Sequence, residues 1–489
     1  MRKPPDMFDR DFEWAELTRF ATHRAPHATL GVVSGRRRQG KTYLLDALTR
    51  ATGGFMFTAT EAAERDALDR LGEDLAHHLG EPVPLRFDGW HQAITRLLHT
   101  TDREPRTVVL DEFPYLARSS PALPSIIQRA LDPGNRSATG PVRLLLCGSA
   151  LSFMGGLLSG NAPLRGRAGL ELVVPTLDFR LAARFWEIDD PRTAVLTHAV
   201  VGGTPAYRRE FSRDDTPEGP DDFDPWVVRT VLNPARPLFR EARYLLAEEP
   251  DLRDPALYHS VLGAIADGHP SRGGIANRLG RKSTDLAHPL GVLEDVGLIG
   301  REPDAFRRNR STYRITEPLI TFHHAVMRPA WGELERPGRA ARVWERLRPA
   351  FRSKVVGPHF EALCREWTRW YASPETCGGH PSRVAAGTVN DPAARIAREV
   401  DVAAFGRDGE DREKLLAIGE AKWNEPLGLG HLERLEHIRE LLRARGDVRA
   451  GETRLFCFGG AGFTDDLRRR AEGDPGVQLI DAHRLHHGD

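Results

Sequence analysis

Two lysines stand inside motifs that need one, in a chain with only six lysines against sixty-three arginines. Lys41 lies in Gly35-Arg36-Arg37-Arg38-Gln39-Gly40-Lys41-Thr42, and Lys422 lies in Gly419-Glu420-Ala421-Lys422-Trp423. Where arginine is so favoured, a retained lysine marks a place that needs a compact ammonium rather than a planar fork. The first pattern, G-x4-G-K-T, is that of a phosphate cradle. Gly35 and Gly40 permit backbone angles that turn the amides of Arg36, Arg37, Arg38 and Gln39 toward phosphate oxygens. Lys41 then reaches the β- and γ-phosphates, Thr42 ligates magnesium, and the following helix points its positive end at the anion.

Further residues of nucleotide chemistry follow in order. Asp111 ends the apolar run Thr107-Val108-Val109-Leu110 and is placed to hold Mg2+, directly or through water. Glu112 beside it is the candidate for polarising the attacking water. Ser149, after the next apolar run, is a candidate sensor of the γ-phosphate or the start of a turn. Arg167 is a candidate arginine finger, with an ordinary surface arginine as the alternative. The chain has no Asn-Lys-x-Asp guanine signature, which favours ATP over GTP.

Near the carboxy terminus the chemistry changes. Asp401 and Glu420 lie in two strand-like runs, Glu399–Phe405 and Lys414–Trp423, and Lys422 follows Glu420 by two residues. Two carboxylates on a shared edge can hold one or two magnesium ions, which activate water and stabilise a leaving oxygen. A lysine beside them orients the nucleophile or offsets transition-state charge. The order of helix Glu361, strand Asp401 and Glu420-Ala421-Lys422 resembles the PD-(D/E)xK nuclease superfamily. That resemblance implies Asp401 and Glu420 as metal ligands, Lys422 as the catalytic ammonium and Glu361 as a helical accessory acid, with Glu399 a neighbour. One departure is that the aromatic strand of the superfamily is replaced by the bland Ser382-Arg383-Val384-Ala385-Ala386-Gly387.

These residues need elements to hold them. Thr29–Val33, Phe55–Phe57, Thr107–Leu110 and Arg143–Cys147 are short apolar runs alternating with helical stretches at Tyr43–Arg50 and Glu61–Leu79. That alternation predicts a parallel sheet covered on both faces, a three-layer α/β domain over residues 1–180. Residues 181–250 read as a helical lid. Residues 251–330 read as a winged helix, with helices to Ala266, over Ile275–Leu279 and over Thr284–Val296, then a basic wing. Arg278, Arg281 and Lys282, with Arg307, Arg308 and Arg310 in the wing, are candidates for gripping phosphates, or the module docks protein. A proline- and arginine-rich stretch leads into the final domain, 351–489. There, Phe360, Leu363, Trp367 and Trp370 describe one face of a helix, strand-like runs follow, and the histidines at 483, 486 and 487 read as a solvated end.

At 489 residues several domains are expected. A formal net charge of zero argues against a generic polyanion binder but leaves local basic patches open. Cys147, Cys364, Cys377 and Cys457 form no close pair, so neither a zinc ribbon nor a disulfide framework is expected. The amino terminus lacks the apolar core of a signal peptide, and the longest apolar stretch, 144–158, is interrupted and short of a membrane helix. A cytoplasmic protein with no membrane segment is expected, and a homo-oligomer is compatible with it.

The lead-in Phe8-Asp9-Arg10, the loop ending Gly40-Lys41-Thr42, Leu110-Asp111-Glu112-Phe113, Cys147-Gly148-Ser149 and Gly202-Gly203-Thr204-Pro205-Ala206-Tyr207 resemble the prokaryotic archaeal-type ATPase family. These are P-loop ATPases related to the AAA+ and signal-transduction NTPase lineages. The resemblance implies a P-loop NTPase domain, a winged helix and a restriction-endonuclease-like α/β domain at the carboxy terminus. The expected function is ATP binding and hydrolysis that gates a metal-dependent nuclease-like domain acting on nucleic acid, with DNA favoured. Two alternatives stay open: a signalling or scaffold NTPase whose terminal domain does not cleave, and an ATP-dependent DNA-binding regulator.

Overall fold

The computed structural model describes residues 1–99, 104–135, 138–247, 254–407, 412–446 and 453–489. The chain forms two compact units, Met1–Thr176 and Leu177–Asp489. The segments read from sequence as lid, winged helix and terminal domain therefore lie within one second unit. Their expected boundary at 250/251 falls outside the described residues.

In the first unit five strands form a parallel sheet: β1 (Thr29–Ser34), β2 (Phe55–Thr58), β3 (Arg106–Asp111), β4 (Val142–Gly148) and β5 (Ala168–Val173). Their order is β2-β3-β4-β1-β5, so β4 sits between the strand that feeds the glycine loop and the strand that ends at Asp111. Parallel strands all end on one edge, and that edge gathers the loop after β1, Asp111 after β3 and Ser149 after β4.

Alternating side chains divide between the two faces. Leu30, Val32, Val108, Leu110, Leu144 and Leu146 pack in one core with Leu71 and Ile94 of the helices Glu64–Leu79 and Trp90–Leu98. Val33, Val109, Leu145 and Cys147 pack in the other core with Leu17 and Leu45, from the helices Asp11–Thr22 and Lys41–Thr52. Both faces are thus covered by helices, as continuous apolar runs require. Arg143, fully buried in β4, gives its guanidinium N–H groups to the carbonyls of His23, Ala25 and His27.

The second unit begins with the helices Phe179–Trp186, Pro191–Val201, Pro220–Trp226 and Leu238–Ala247. Asp178 caps the first by accepting from the amides of Arg180 and Leu181, and Asp190 caps the second through Thr193. The helices Pro255–Ala266, Arg272–Leu279 and Ala287–Asp295 follow, then an antiparallel hairpin of β6 (Ile299–Pro303) and β7 (Ser311–Ile315).

The chain ends in a mixed sheet of β8 (Arg383–Asp391), β9 (Ile396–Arg407), β10 (Glu413–Lys422), β11 (Arg454–Gly459) and β12 (Val477–Asp481), in the order β12-β11-β10-β9-β8. β8, β9 and β10 are antiparallel neighbours, and β10, β11 and β12 run parallel. Leu432, Leu435, Ile438 and Leu442 of the helix Leu429–Arg445 join the core on one face. On the other face Trp367, from the helix Gly357–Trp370, meets Phe458 edge-on at 5.9 Å.

The tip of the hairpin expected as a basic wing lies against β8. The Ala305 amide donates to the Ala386 carbonyl at 2.8 Å, the Thr388 amide donates to Asp304, and the Arg307 guanidinium donates to the Asn390 side chain. Phe306 packs on Phe405 at 5.9 Å, supplying the aromatic ring that the bland β8 lacks. Arg308 and Arg310 remain exposed. Of the terminal histidines, expected as a solvated end, His483 and His487 are exposed, while His486 is buried where the helix Ala482–His487 docks. His486 stands edge-on to Phe179 at 5.3 Å, burial pushes its pKa down to about 4, and Arg180 holds the carbonyls of Leu485 and Gly488.

Candidate functional site

The loop between β1 and its helix carries the geometry that its sequence requires. Gly40 has φ 83° and faces open space, whereas a Cβ on Gly35, φ 153°, would come within 2.5 Å of the Val174 carbonyl. A side chain at either position would strain the turn, and at Gly35 it would also push the loop off the sheet edge. The buried Lys41 donates from Nζ to the Arg36 carbonyl at 2.8 Å, folding the loop around its own ammonium. Burial lowers the Lys41 pKa, while the acids Glu112 and Asp111 on the same edge oppose the shift.

Thr42 and Asp111 are sixty-nine residues apart and meet directly, Thr42 Oγ1 donating to Asp111 Oδ2 at 2.8 Å. The other carboxylate oxygen of Asp111 accepts from the Glu112 amide at 2.9 Å. Glu112 takes a left-handed backbone, φ 51°, a costly conformation for a non-glycine residue and one that recurs at functional sites. Its carboxylate receives the Ser149 hydroxyl, at 3.1 Å to Oε2. Thr42, Asp111, Glu112 and Ser149 are thereby tied into one chain of contacts. Arg167 is engaged elsewhere, its guanidinium paired with Asp132 at 2.6 Å.

Two arginines support the loop: Arg10, from the Phe8-Asp9-Arg10 lead-in, and Arg37 of the loop itself. Arg10 is buried, also left-handed at φ 67°, and its guanidinium donates to the Gln39 and Pro175 carbonyls while pairing with Glu13. It fixes the loop from behind. Arg37 donates to the Tyr115 hydroxyl at 3.0 Å.

The acidic constellation is built on adjacent strands. Asp401 accepts from the Ala421 amide at 2.9 Å, which ties its carboxylate to the strand that carries Glu420 and Lys422. Glu420 is buried; its Oε1 is shared by Lys422 Nζ at 3.2 Å and Arg434 Nη1 at 3.0 Å, and its Oε2 has no hydrogen-bond partner. A buried carboxylate oxygen without a donor is costly and fits a cation ligand. Burial raises the Asp401 pKa; burial together with the Asp401 charge pushes Glu361 up to about 7. Burial works against the Lys422 ammonium, but Glu420 and Asp401 outweigh it and its pKa stands raised. Among the described residues no three His, Cys, Asp or Glu side chains converge as a preformed metal cage. Glu361 therefore stands beside the Asp401–Glu420 pair without completing a cage. Arg434 and Arg365, which donates to the Asp401 carbonyl at 3.0 Å, were hidden in sequence by the abundance of arginine.

Around the three helices before the hairpin, Arg281 and Lys282 are exposed, and Arg278 pairs with Asp267 at 3.3 Å. All four cysteines are buried and free. Among the described residues no helix is long and apolar enough to cross a membrane.

No protein-family model matches the chain. An uncharacterized protein of Methanocaldococcus jannaschii is 25% identical over 309 residues, which is 62% of this chain and 65% of that protein, so the match spans just under two thirds of the relative's length. Among solved structures, a Walker-type ATPase of Pyrococcus abyssi is 19% identical, covering 66% of this chain and 97% of that chain with a TM-score of 0.46. The ORC2 protein of Aeropyrum pernix, in ADPNP–ADP complexes, is 15% identical, covering 72% and 96% with a TM-score of 0.42. At these values the functional reading rests on the geometry of the two sites.

Proposed function

We propose that the chain binds and hydrolyses ATP at the edge of its first sheet, and that its terminal sheet carries a divalent-metal-dependent, nuclease-like site. The observation that carries the first half is the direct Thr42–Asp111 contact at the mouth of a glycine loop whose lysine is buried. A hydroxyl that follows the loop lysine and a carboxylate that ends a neighbouring strand, brought together on one sheet edge, are the pair through which a phosphate loop holds its magnesium. Mg2+ held by Thr42 and Asp111 would offset charge on the β- and γ-phosphate oxygens. Lys41 binds the same phosphates by releasing the Arg36 carbonyl. Glu112 accepts a proton from water as the water oxygen bonds to the γ-phosphorus and the bridging oxygen departs with ADP. Ser149, which donates to Glu112, orients that carboxylate and reports the γ-phosphate. Arg167 serves in this reading only if its pair with Asp132 opens.

In the terminal site Asp401 and Glu420 would hold Mg2+ or Mn2+, which would lower the pKa of a bound water and polarise a phosphodiester. Glu361, which burial and the Asp401 charge push up to about 7, is an accessory acid. Lys422 steadies the nucleophile and balances charge. The exposed Arg281 and Lys282 would contact nucleic-acid phosphates, and DNA is the favoured polymer. A scaffold reading has an observation of its own: Lys422 and Arg434 already neutralise Glu420.

One experiment separates the readings. Purified chain is incubated with plasmid, single-stranded DNA and RNA, with and without ATP, and with Mg2+ or Mn2+. Metal-dependent cutting lost in Asp401→Ala supports the nuclease. ATP turnover without any cutting leaves the scaffold reading, and absence of both ATP binding and turnover sinks the proposal.

A further inference from the structure

The strand that carries Asp401 is irregular at that residue. Along the β8–β9 ladder Ala385 pairs with Ala403, but Gly387 pairs with Val400. Asp401 and Val402 of β9 therefore face the single residue Ala386 of β8, which is a β-bulge. Bulges re-aim side chains and leave ladder groups in need of other partners. Here the partners come from outside the sheet. The Ala386 carbonyl accepts from the Ala305 amide of the hairpin tip, and the Asp401 carbonyl accepts from Arg365 on the helix Gly357–Trp370.

The two outside partners are themselves connected. Arg365 points its second terminal nitrogen at Glu302 of β6, at 3.6 Å, and Glu302 is held on its other oxygen by Arg314 of β7 at 2.7 Å. Arg365 is mostly buried, its side chain 13% exposed, so a guanidinium there needs both partners. The hairpin cannot slide away from the bulge easily. A Cβ on Gly387 would already meet the Ala305 and Phe306 side chains at 2.7 Å. Hairpin, bulge and acidic site form one connected set of contacts.

We propose that Arg365 is a positioning residue for the terminal acidic site: it fixes the bulge through the Asp401 carbonyl and is itself held by Glu302, so the docked hairpin sets where Asp401 presents its carboxylate. The proposal rests on the reading of Asp401 and Glu420 as a metal-binding pair. A planar guanidinium can span the Asp401 carbonyl and the Glu302 carboxylate at once, and a lysine ammonium at that position would reach one of them. Second partners of this kind orient ligands, and their loss typically costs about ten- to a hundredfold in metal affinity.

The test uses the full chain and two readouts, Mn2+ binding by titration calorimetry and amide hydrogen exchange along Ile396–Arg407. Arg365→Met is expected to weaken Mn2+ binding by about tenfold and to speed exchange around the bulge. Arg365→Lys is expected to fall between wild type and Arg365→Met. Glu302→Gln, which leaves the acidic site's own residues untouched, is expected to shift both readouts in the same direction by a smaller factor, and it serves if Arg365→Met fails to fold. Unchanged Mn2+ affinity and unchanged exchange in a folded Arg365 variant and in Glu302→Gln would overturn the proposal. If the wild type itself takes no Mn2+, the metal-site reading fails. Exchange at the bulge then decides the relay by itself, and unchanged protection in both variants overturns it.

Discussion

Lys41 and Lys422 meet opposite electrostatic surroundings, and their variants should fail in different ways. Lys41 is buried with its pKa lowered by burial, and its nitrogen rests on one backbone carbonyl. Replacing it by alanine removes a charge-assisted contact worth ~3 kcal/mol, which is about a hundredfold in nucleotide affinity. Calorimetric titration with ATP should show that loss, and unchanged affinity would remove the phosphate-loop assignment. Glu112→Gln should leave affinity intact and slow turnover by about a hundredfold, since an amide cannot take the proton. Lys422 pairs with Glu420, and the Glu420 and Asp401 charges raise its pKa, so it stays charged throughout the usual range. Lys422→Arg keeps the charge but replaces a point by a fork beside a buried acid. Cutting should drop about a hundredfold or more while Mn2+ binding persists. Both lysines were legible because the chain uses so few. Arg365 and Arg434 were not, since one arginine among sixty-three says nothing until its partners are seen.

At the scale of elements, the sequence spoke where strands are buried and fell silent where they are not. β1, β3 and β4 are almost wholly buried and were visible as apolar runs. β5, Ala168–Val173, lies at the sheet edge with most side chains partly exposed, so its residues show no continuous run and it went unseen. β6 was missed for the same reason, with Gly300, Arg301 and Glu302 breaking its pattern. In the wing, charge is the visible signal and packing the hidden one: three arginines suggest phosphates, while the tip is placed by Phe306 and by backbone pairing with β8. That docking makes a stability prediction. Gly387→Val forces three heavy atoms into space held by Ala305 and Phe306, an overpacking that costs about 1–3 kcal/mol. Thermal unfolding should register it, whereas Ala substitution of the exposed Arg308 should change stability by less than about 0.5 kcal/mol. A Gly387→Val chain as stable as wild type would mean that the hairpin undocks readily. Arg143→Met tests the first unit in the same way. It leaves the carbonyls of His23, Ala25 and His27 without a donor and should cost about 2–4 kcal/mol.

For the whole molecule, the question is whether ATP in the first unit and nucleic acid on the second feel each other. Coupling between two binding events is a free energy, and it is reciprocal. If ATP tightens nucleic-acid binding by some factor, nucleic acid must tighten ATP binding by the same factor. Typical couplings of ~1–3 kcal/mol correspond to between about fivefold and 150-fold. Glu112→Gln supplies a chain expected to hold ATP without consuming it, so both arms of the cycle can be measured at equilibrium. A fluorescent oligonucleotide titrated with and without ATP gives one factor, and ATP calorimetry with and without saturating oligonucleotide gives the other. A gated enzyme predicts two equal factors above about five. It also predicts that cutting in Lys41→Ala loses its ATP dependence while keeping its requirement for Asp401. Equal factors of one, with cutting intact, would mean that the two chemistries share a chain without sharing a signal. ATP turnover that continues unchanged in Asp401→Ala is expected in either case, because Asp401 lies in the second unit and the phosphate loop in the first.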